Sequence, residues 1–341
     1  MEKKRVLFIV NPISGGKKKV SILKEIEKEI DSAFFSYEIQ QTEYPGHAEI
    51  LAKKAAEEQV DIIVAVGGDG TINEVARSLV HSNSALGIIP CGSGNGLARH
   101  LQIPMDIKKA LQIINKATIH SLDYGKINGM PFFCTCGVGF DAFISLKFAE
   151  SGKRGPLSYV ENTLREGLKY QPDVYTIETE NGTTEHKAFL IACANASQYG
   201  NNVFIAPHAS MKDGLMDIII MESFNTIESP QIILQLLNKT IESNSHVKVL
   251  QAKKVRITRS KEGVAHCDGD FFMTGTTIDV ELIQKSFNVV VNPQAKSKQK
   301  SFVQSFAEYF NEWIDLPNGI IKTKEDLMRI NKNILEKIKK I

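Results

Sequence analysis

The residue types best suited to chemistry lie in Ile62–Glu74, where an apolar run enters the turn Gly67-Gly-Asp-Gly70. The pattern predicts a buried strand over Ile62–Val66 and a helix that opens at Thr71. Glycines lack a Cβ atom, so their backbone N–H groups can approach a phosphate, and a helix N-terminus adds about half a positive charge. Asp69 would repel a phosphate, which suits it to Mg²⁺ or to the waters of that ion. The segment therefore predicts a nucleoside triphosphate site.

Two further glycine-rich loops follow predicted strands. Asn11–Gly16 comes after the apolar run Arg5–Val10, and Pro90–Gly96 comes after Leu86–Ile89. The first loop lacks the GxxxxGK[ST] spacing of a P-loop and the second carries helix-capping residues, so each alone also fits a plain turn or cap. Because the carboxyl ends of parallel strands share one sheet edge, where ligands of such sheets bind, we expect the three loops to meet there.

The composition is that of an ordinary globular enzyme. The chain has 341 residues, 43% of them hydrophobic and 23% charged, which suits two domains. A net charge of +2 gives no general affinity for nucleic acid, so no nucleic-acid partner is expected. Five cysteines without a CxxC pair predict reduced, mostly buried thiols in a cytosolic compartment. No apolar run approaches the roughly 18 residues of a membrane span, so no transmembrane segment is expected.

Strand and helix patterns divide the chain into three parts. Residues 1–117 alternate between strands and helices, which predicts an α/β nucleotide domain with a parallel sheet. Residues 118–294 hold short β-rich segments and the turn signals Asn128-Gly129 and Asn181-Gly182, which predict an antiparallel β-rich domain. Residues 295–341 have helical spacing. The fold class is therefore α/β with a second, β-rich domain, a helical C-terminal tail, and an active site in the cleft between the domains.

The elements after residue 118 are predicted to be mostly strands. These strands are Ser121–Ile127, Phe132–Cys136, Val174–Thr179, Ala188–Ala194, Met216–Met221, Lys253–Thr258, Thr277–Leu282 and Asn288–Val291. Helical interruptions are predicted around 156–169 and 227–243. In the tail, an apolar stripe is predicted, which fits a dimer contact, a membrane contact or packing against the protein's own fold. Its residues are Phe302, Phe306, Phe310 (or Tyr309) and Trp313.

Three motifs, Asn11-Pro-x-Ser-Gly15, Gly67-Gly-Asp-Gly-Thr-x-Asn-Glu74 and Pro90-x-Gly-Ser-Gly-Asn95, occur in an order and spacing that resemble the diacylglycerol kinase catalytic-domain family. That family includes bacterial diacylglycerol kinases, sphingosine kinases and ceramide kinases. The likeness covers about residues 4–293 and continues through residues 122–125, 137–142, 206–209, 212–217 and 268–270. It implies a lipid kinase that uses ATP and Mg²⁺.

The resemblance implies ATP contacts in the three loops and just after the second strand. These positions are Asn11, Pro12, Ile13, Ser14, Gly15, Thr42, Gly67, Gly68, Asp69, Gly70, Thr71, Ile72, Asn73 and Ser93. It also implies a metal site at Ser210, Asp213 and Leu215, the first and last through backbone carbonyls. Lys212-Asp-Gly214 is equally a good turn before a strand, so that interpretation stays open.

The family's catalytic base is the Glu of an Asp-Gly-Glu motif, whereas this chain has Asp268-Gly-Asp270. The resemblance therefore assigns Asp270 to remove the proton of the lipid hydroxyl, with a reach shorter by about 1.5 Å. Asp268 is the alternative base, and an acidic hairpin turn is the alternative interpretation. Asp69 completes the expected catalytic set by holding Mg²⁺ or its waters.

The acceptor stays open between two lipid classes. Pro90-Cys-Gly-Ser-Gly-Asn95 is more similar to sphingosine kinases, which favours a sphingoid base or ceramide-like lipid without excluding diacylglycerol. The resemblance implies a cytoplasmic enzyme that meets its lipid substrate at the inner face of the membrane, and a homodimer stays open. Apolar residues of Phe132–Phe148 and Phe271–Met273 are candidates for a lipid-tail cavity or for ordinary core.

Two rival functions remain. An NAD kinase or phosphofructokinase-like enzyme is similar around Gly67–Gly70, but the Pro90–Asn95 motif and the motifs at Asp213 and Asp268 argue against it. A catalytically silent lipid-binding or regulatory protein of the same fold is favoured by the aspartate at position 270 and disfavoured by the intact ATP loops.

Overall fold

The computed structural model describes residues 3–14, 19–143, 170–224 and 228–295. Three sequence predictions lie outside these residues: the ATP contact at Gly15, the helix around 156–169 and the tail from residue 296 onward. In the part of the chain that is described, no helix combines the length and the apolar character needed to cross a membrane. The five cysteines all lie within the described residues and form no disulfide bond there, and four of them are buried, as expected.

The N-terminal part is a parallel sheet covered by helices. In chain order its elements are β1 (Lys4–Val10), α1 (Lys19–Glu29), β2 (Phe35–Gln41), α2 (His47–Glu57), β3 (Ile62–Gly67), α3 (Asp69–Leu79), β4 (Ala85–Pro90), α4 (Gly96–His100) and α5 (Ile107–Lys116). The strands lie in the order β4-β3-β1-β2, and every residue of β3 and β4 is buried. Burial on both faces explains why these strands are continuous apolar runs. The predicted parallel sheet is confirmed.

The rest of the described chain is β-rich and mostly antiparallel, as predicted. Its elements are β5 (Ile119–Ile127), β6 (Met130–Phe132), β7 (Thr135–Gly139), β8 (Asp173–Thr179), β9 (Gly182–Ala194), β10 (Met216–Glu222), α6 (Ser229–Asn238), β11 (Val247–Ala252), β12 (Lys254–Arg259), β13 (Gly263–Cys267), β14 (Asp270–Thr274) and β15 (Thr277–Val290). Strand β15 joins the two parts, because it pairs with β5 and β12 and, at Val289, with Leu86 of β4. The main path runs β14-β13-β7-β9-β8-β12-β15-β4-β3-β1-β2.

Helix α3 begins two residues earlier than predicted, at Asp69 rather than at Thr71. Gly68 has an extended backbone and acts as the N-cap, and its carbonyl already accepts the N–H of Ile72. The first helical turn therefore contains most of the glycine motif itself. This places the N–H groups of the motif at the positive end of the helix.

The predicted strand Phe132–Cys136 is wrong, because the segment forms the separate strands β6 and β7. Between them, the N–H groups of Phe133 and Cys134 donate to the carboxylate of Asp268. Those two N–H groups therefore do not bond to a neighbouring strand, and the strand is interrupted at the place where it binds Asp268.

Strand β15 unites two predicted strands, Thr277–Leu282 and Asn288–Val291, into one element. The strand is irregular between Ile283 and Phe287, and within this stretch the N–H of Lys285 donates to Asp123. Helix α5 and strands β11, β13 and β14 were not among the predicted elements, although a hairpin turn at Asp268–Asp270 was one of the two interpretations of that motif. The hairpin matters most, since it carries both candidate bases.

Candidate active site

The first and second glycine loops are joined where β1 and β3 end. The N–H of Asn11 donates to the carbonyl of Val66 (3.0 Å), and its side-chain amide donates to the hydroxyl of Thr71 (2.9 Å). Gly67 leaves room for that hydroxyl, since a Cβ there would lie 2.6 Å from Thr71 Oγ1. The Thr71 side chain therefore fastens the first loop to α3.

The second and third glycine loops touch through their backbones. The N–H of Cys91 donates to the carbonyl of Gly67 (2.8 Å), and a Cβ on Gly92 would lie 2.7 Å from the Cα of Gly68. At Gly70, in the first turn of α3, a Cβ would meet no atom within 4 Å. Two close-packed backbone turns therefore lie beside a helix N-terminus that is open at Gly70, an arrangement typical of anion-binding sites.

Asp69 fixes the third loop against α3. Its Oδ2 accepts the N–H of Asn95 and its Oδ1 accepts the N–H of Gly96, both at 2.8 Å. Gly94 permits this approach, because a Cβ there would lie 2.5 Å from Oδ2. Asp69 therefore caps the start of α4, a role that the sequence did not indicate, and its contact with Mg²⁺ or waters stays a prediction.

The remaining predicted ATP positions within the described residues differ in exposure. The exposed or partly exposed side chains are Pro12, Ile13, Ser14 and Ser93, and the buried ones are Thr42, Ile72 and Asn73. The N–H of Thr42 donates to the carbonyl of Val10 at 3.0 Å, which ties the end of β2 to the end of β1. Ile72 and Asn73 lie in α3 with their side chains turned into the protein, so a ligand could reach only their backbone.

Replacing Gly92 by alanine is expected to weaken both the fold and nucleotide binding. The added methyl would lie 2.7 Å from the Cα of Gly68, and backbone cannot move aside as a flexible side chain can. We expect a loss of about 1–3 kcal/mol in the free energy of unfolding and a nucleotide Kd raised at least about tenfold. Urea unfolding and titration with a fluorescent ATP analogue measure the two effects.

Gly70→Ala is the matched control, because its methyl would meet no protein atom within 4 Å. Its free energy of unfolding should stay near that of the wild-type protein, while nucleotide binding falls if phosphates occupy the space beside it. Wild-type nucleotide affinity in Gly70→Ala would show that the phosphates lie elsewhere.

The hairpin between β13 and β14 is held in place by Asp268. The turn residues Asp268 and Gly269 have φ angles of 51° and 90°. Asp268 Oδ2 accepts the N–H of Phe133 (2.8 Å), and Oδ1 accepts those of Cys134 (2.7 Å) and Thr135 (3.1 Å). Burial raises the pKa of Asp268 to about 6, against the opposing effect of the three N–H donors. The carboxylate faces the backbone rather than an incoming hydroxyl group.

Asp270, at the start of β14, presents its carboxylate outward. Its side chain is 71% exposed, and Oδ2 lies 3.6 Å from the guanidinium of Arg77 in the last turn of α3. Of the two predicted bases, Asp270 is therefore the one with room for a substrate. The partner Arg77 was missed, because nothing in the sequence connects a helix residue with a hairpin almost two hundred positions later.

A short chain of contacts connects the hairpin with the glycine loops. Cys134 donates its N–H to Asp268, and its Sγ lies 3.5 Å from the place where a Cβ on Gly96 would be. The N–H of Gly96 in turn donates to Asp69. The hairpin that carries Asp268 and Asp270 therefore lies close to the second and third glycine loops, although the two are far apart in the sequence.

The predicted metal positions form a local turn. Asp213 Oδ1 accepts the N–H of Leu215 (3.1 Å), and Ser210 Oγ accepts the N–H of Lys212 (3.3 Å). Within residues 3–14, 19–143, 170–224 and 228–295, no group of three or more His, Cys, Asp or Glu side chains could hold a metal ion. The buried Asp123 supports this turn by accepting the N–H of Gly214 (2.9 Å). Metal binding here stays a prediction.

A buried polar cluster around His266 of β13 was not assigned from the sequence. His266 Nε2 lies 2.9 Å from Asp141 Oδ2, which also accepts the hydroxyl of Tyr199 at 3.2 Å. Asp141 and Asp123 both lie in motifs that carry the family resemblance, and those motifs could have indicated that the two aspartates have a role. His266 gave none, since a single histidine in a strand most often belongs to the core.

Comparison with known proteins agrees with this architecture. The family model described as diacylglycerol kinase catalytic domain matches residues 5–127, and the one described as YegS C-terminal NAD kinase beta sandwich-like domain matches residues 135–291. A diacylglycerol kinase of Bacillus subtilis (strain 168) is 28% identical over 302 residues, covering 87% of this chain and 99% of that protein. An uncharacterized protein of Synechocystis is 31% identical over 302 residues, covering 83% of this chain and 69% of that protein.

A solved structure has the same fold. The crystal structure of a diacylglycerol kinase from Bacillus anthracis strain Sterne matches with a TM-score of 0.69 and 25% identity, covering 86% of this chain and 98% of that one. The two family models follow each other along the chain in the order in which the parallel sheet and the β-rich part occur. The chain is therefore a member of the diacylglycerol kinase catalytic-domain family of kinases.

Proposed function

We propose that the protein is an ATP-dependent lipid kinase that transfers the γ-phosphoryl group to the hydroxyl of diacylglycerol or of a sphingoid-base or ceramide-like lipid. One observation carries the proposal: an exposed carboxylate, Asp270, stands on a hairpin that contacts the third glycine loop through Cys134. A phosphate cradle and a proton acceptor are the two parts that phosphoryl transfer to an alcohol requires.

The residues of this chain divide the chemistry as follows. The backbone N–H groups at the N-terminus of α3, beside the open space at Gly70, would offset the charge of the phosphates. The carboxylate of Asp270 accepts the proton of the lipid hydroxyl as that oxygen attacks the γ-phosphorus. Arg77, 3.6 Å from Asp270 Oδ2, holds the shorter side chain toward α3.

Mg²⁺, when bound with the nucleotide, would neutralise phosphate charge. Such an ion is usually held by one or two carboxylates together with phosphate oxygens and waters. Asp69 supplies a carboxylate within the second glycine motif, and each of its oxygens keeps a lone pair beside the one N–H group from which it already accepts a hydrogen bond. These residues would therefore suit an ion that arrives bound to ATP, and they do not form a metal site made of protein ligands alone.

The edge strand β14 suits contact with a bilayer. On the strand that begins with Asp270, Phe271 is exposed and Met273 is 65% exposed. Met130 is also exposed, and the adjoining Asn128 donates to Thr274 of β14 at 2.9 Å. Because side chains alternate between the two faces of a strand, Phe271 and Met273 lie together on the face opposite Asp270. They would let this edge of the sheet rest on a bilayer while the acceptor hydroxyl reaches Asp270, which supports work at a membrane surface.

The proposed reaction is tested with Mg²⁺ and [γ-³²P]ATP and parallel micelles of diacylglycerol, sphinganine, ceramide and undecaprenol. Soluble NAD serves as a control acceptor. Label in one lipid would support the proposal and identify the acceptor class. Label in NAD alone would favour the NAD kinase-like alternative, and no label despite intact ATP binding would favour a silent lipid-binding protein.

Arg77→Gln is expected to lower kcat about tenfold while KM for ATP stays within about twofold. Arg77 contacts the base rather than the glycine loops, so its loss should misplace Asp270 and leave the nucleotide where it is. Steady-state kinetics of Arg77→Gln, Asp270→Asn and the double variant measure this. If Arg77 acts through Asp270, Arg77→Gln should cost nothing further in the Asp270→Asn background.

Arg5→Gln is the matched control for this cycle. Arg5 also makes an exposed ion pair, with Glu58 at 3.9 Å, but at the far end of β1 from the glycine loops. Its kinetics should equal those of the wild-type protein. Equal losses from Arg77→Gln with and without Asp270 would show that Arg77 does not work through that carboxylate.

A further inference from the structure

An exposed aromatic pair follows β2, on the edge of the sheet that carries the glycine loops. The rings of Tyr44 and His47 are stacked with centroids 4.5 Å apart and planes inclined by only 6°. Tyr44 is 52% exposed although His47 covers one of its faces. A large aromatic face is therefore left open to a ligand.

The segment that carries this pair is firmly anchored. His47 Nδ1 accepts the N–H of Glu43 (3.2 Å), and the N–H of His47 donates to the carbonyl of Tyr44 (3.2 Å). Glu74 accepts the N–H groups of Gly46 (3.0 Å) and Ala48 (3.1 Å). The last residue of the Gly67–Glu74 motif thus ties the segment that carries the aromatic pair to α3, the helix whose first turn holds Gly70.

The aromatic pair and the glycine motif follow two strands that lie near each other in the sheet. Strand β1 lies between β2 and β3, so the loops after β2 and β3 are two strand spacings, about 10 Å, apart. An extended nucleoside triphosphate is longer than this, so it can span the gap between the two loops. A nucleotide whose phosphates lie beside Gly70 can therefore place its base near the end of β2.

We propose that the open face of Tyr44 is the stacking platform for the purine base of the nucleotide, with His47 as its rigid backing. The inference rests on the proposed function, since it requires that the protein bind ATP. An aromatic side chain can stack on any nucleobase, and one such contact raises the binding affinity about five- to a hundredfold. Tyr44 should thus set affinity for the base, while the glycine loops bind the phosphates.

The experiment compares Tyr44→Ala, Tyr44→Leu and Tyr44→Phe by direct binding. A fluorescent ATP analogue is titrated into each protein and then displaced by ATP or by inorganic tripolyphosphate, which has no base. We expect Tyr44→Ala and Tyr44→Leu to weaken ATP about tenfold or more and to leave tripolyphosphate within about twofold. Tyr44→Phe, which keeps the aromatic face, should bind ATP within about threefold of the wild-type protein.

Each other outcome overturns the inference. Unchanged ATP affinity in Tyr44→Ala would show that the base lies elsewhere, with the proposed function intact. Equal weakening of ATP and tripolyphosphate would show that the stacked pair only supports the loop. A wild-type protein that binds neither ligand would overturn the proposed function together with the platform.

Discussion

Asp270→Asn is expected to lower kcat for lipid phosphorylation by about a hundred- to ten-thousandfold, because an asparagine side chain cannot accept the proton of the attacking hydroxyl. KM for ATP should change by less than about threefold, since Asp270 stands on the hairpin and not in the glycine loops. Kinetics at saturating lipid, together with nucleotide binding, separate the two effects.

The exposed position of Asp270 makes this variant easy to interpret. Its side chain is 71% exposed and its ionic partner is partly exposed, so neither Asp270→Asn nor Asp270→Glu should shift the unfolding midpoint noticeably. Asp270→Glu, which restores the residue type of the family's base, should retain activity of the same order as the wild-type protein. An Asp270→Asn protein with more than a tenth of wild-type kcat would show that another group takes the proton.

Asp268→Ala is expected to lower the free energy of unfolding by about 3 kcal/mol or more. The substitution would leave the N–H groups of Phe133, Cys134 and Thr135 without the carboxylate that accepts all three. Activity should fall as well, because the same bonds position the hairpin that carries Asp270. Urea unfolding followed by circular dichroism measures the change in the free energy of unfolding.

Asp279→Ala is the control for general loss of a carboxylate. Asp279 also lies in the β-rich part, but it is exposed and pairs with Arg256 at the surface, so its removal should leave stability close to that of the wild-type protein. If Asp268→Ala unfolds at the wild-type urea midpoint, the three hydrogen bonds do not hold the hairpin.

The three glycine loops could be predicted from sequence because their information is local. A strand pattern, glycines and a helix pattern stand next to each other at Ile62–Leu79, and the parallel arrangement brings such loops to one edge. The start of α3 was misplaced by two residues, since Gly68 as the N-cap has no side chain to mark it. Local patterns thus gave the position of the loops but not their detailed contacts.

The contacts that connect distant segments could not be predicted in the same way. Asp268 binds N–H groups of Phe133 and its neighbours, 135 to 133 residues away, and the sequence carries no pattern for that pairing. The interruption between β6 and β7 follows from it, so the single predicted strand was wrong for the same reason. Arg77 could not be predicted as a site residue because its partner, Asp270, lies almost two hundred positions later in the sequence.

Asp69 shows a different limit. Its place in a glycine turn favours a metal-binding interpretation from charge alone, because a carboxylate repels phosphate. In the fold its two oxygens accept the N–H groups of Asn95 and Gly96, which belong to the next glycine loop. The residue type predicted a functional role for the carboxylate, whereas only the tertiary structure showed that it also binds the third glycine loop.

The most direct test of the lipid kinase assignment is the transfer of label itself. Purified protein is incubated with Mg²⁺, [γ-³²P]ATP and mixed micelles of diacylglycerol and sphinganine, and both the label in the organic phase and the ADP formed are measured. We expect label in lipid in an amount equal to the ADP, and no transfer above background in Asp270→Asn. ADP formed without labelled lipid, or labelled lipid formed equally by Asp270→Asn, would contradict the assignment of this site.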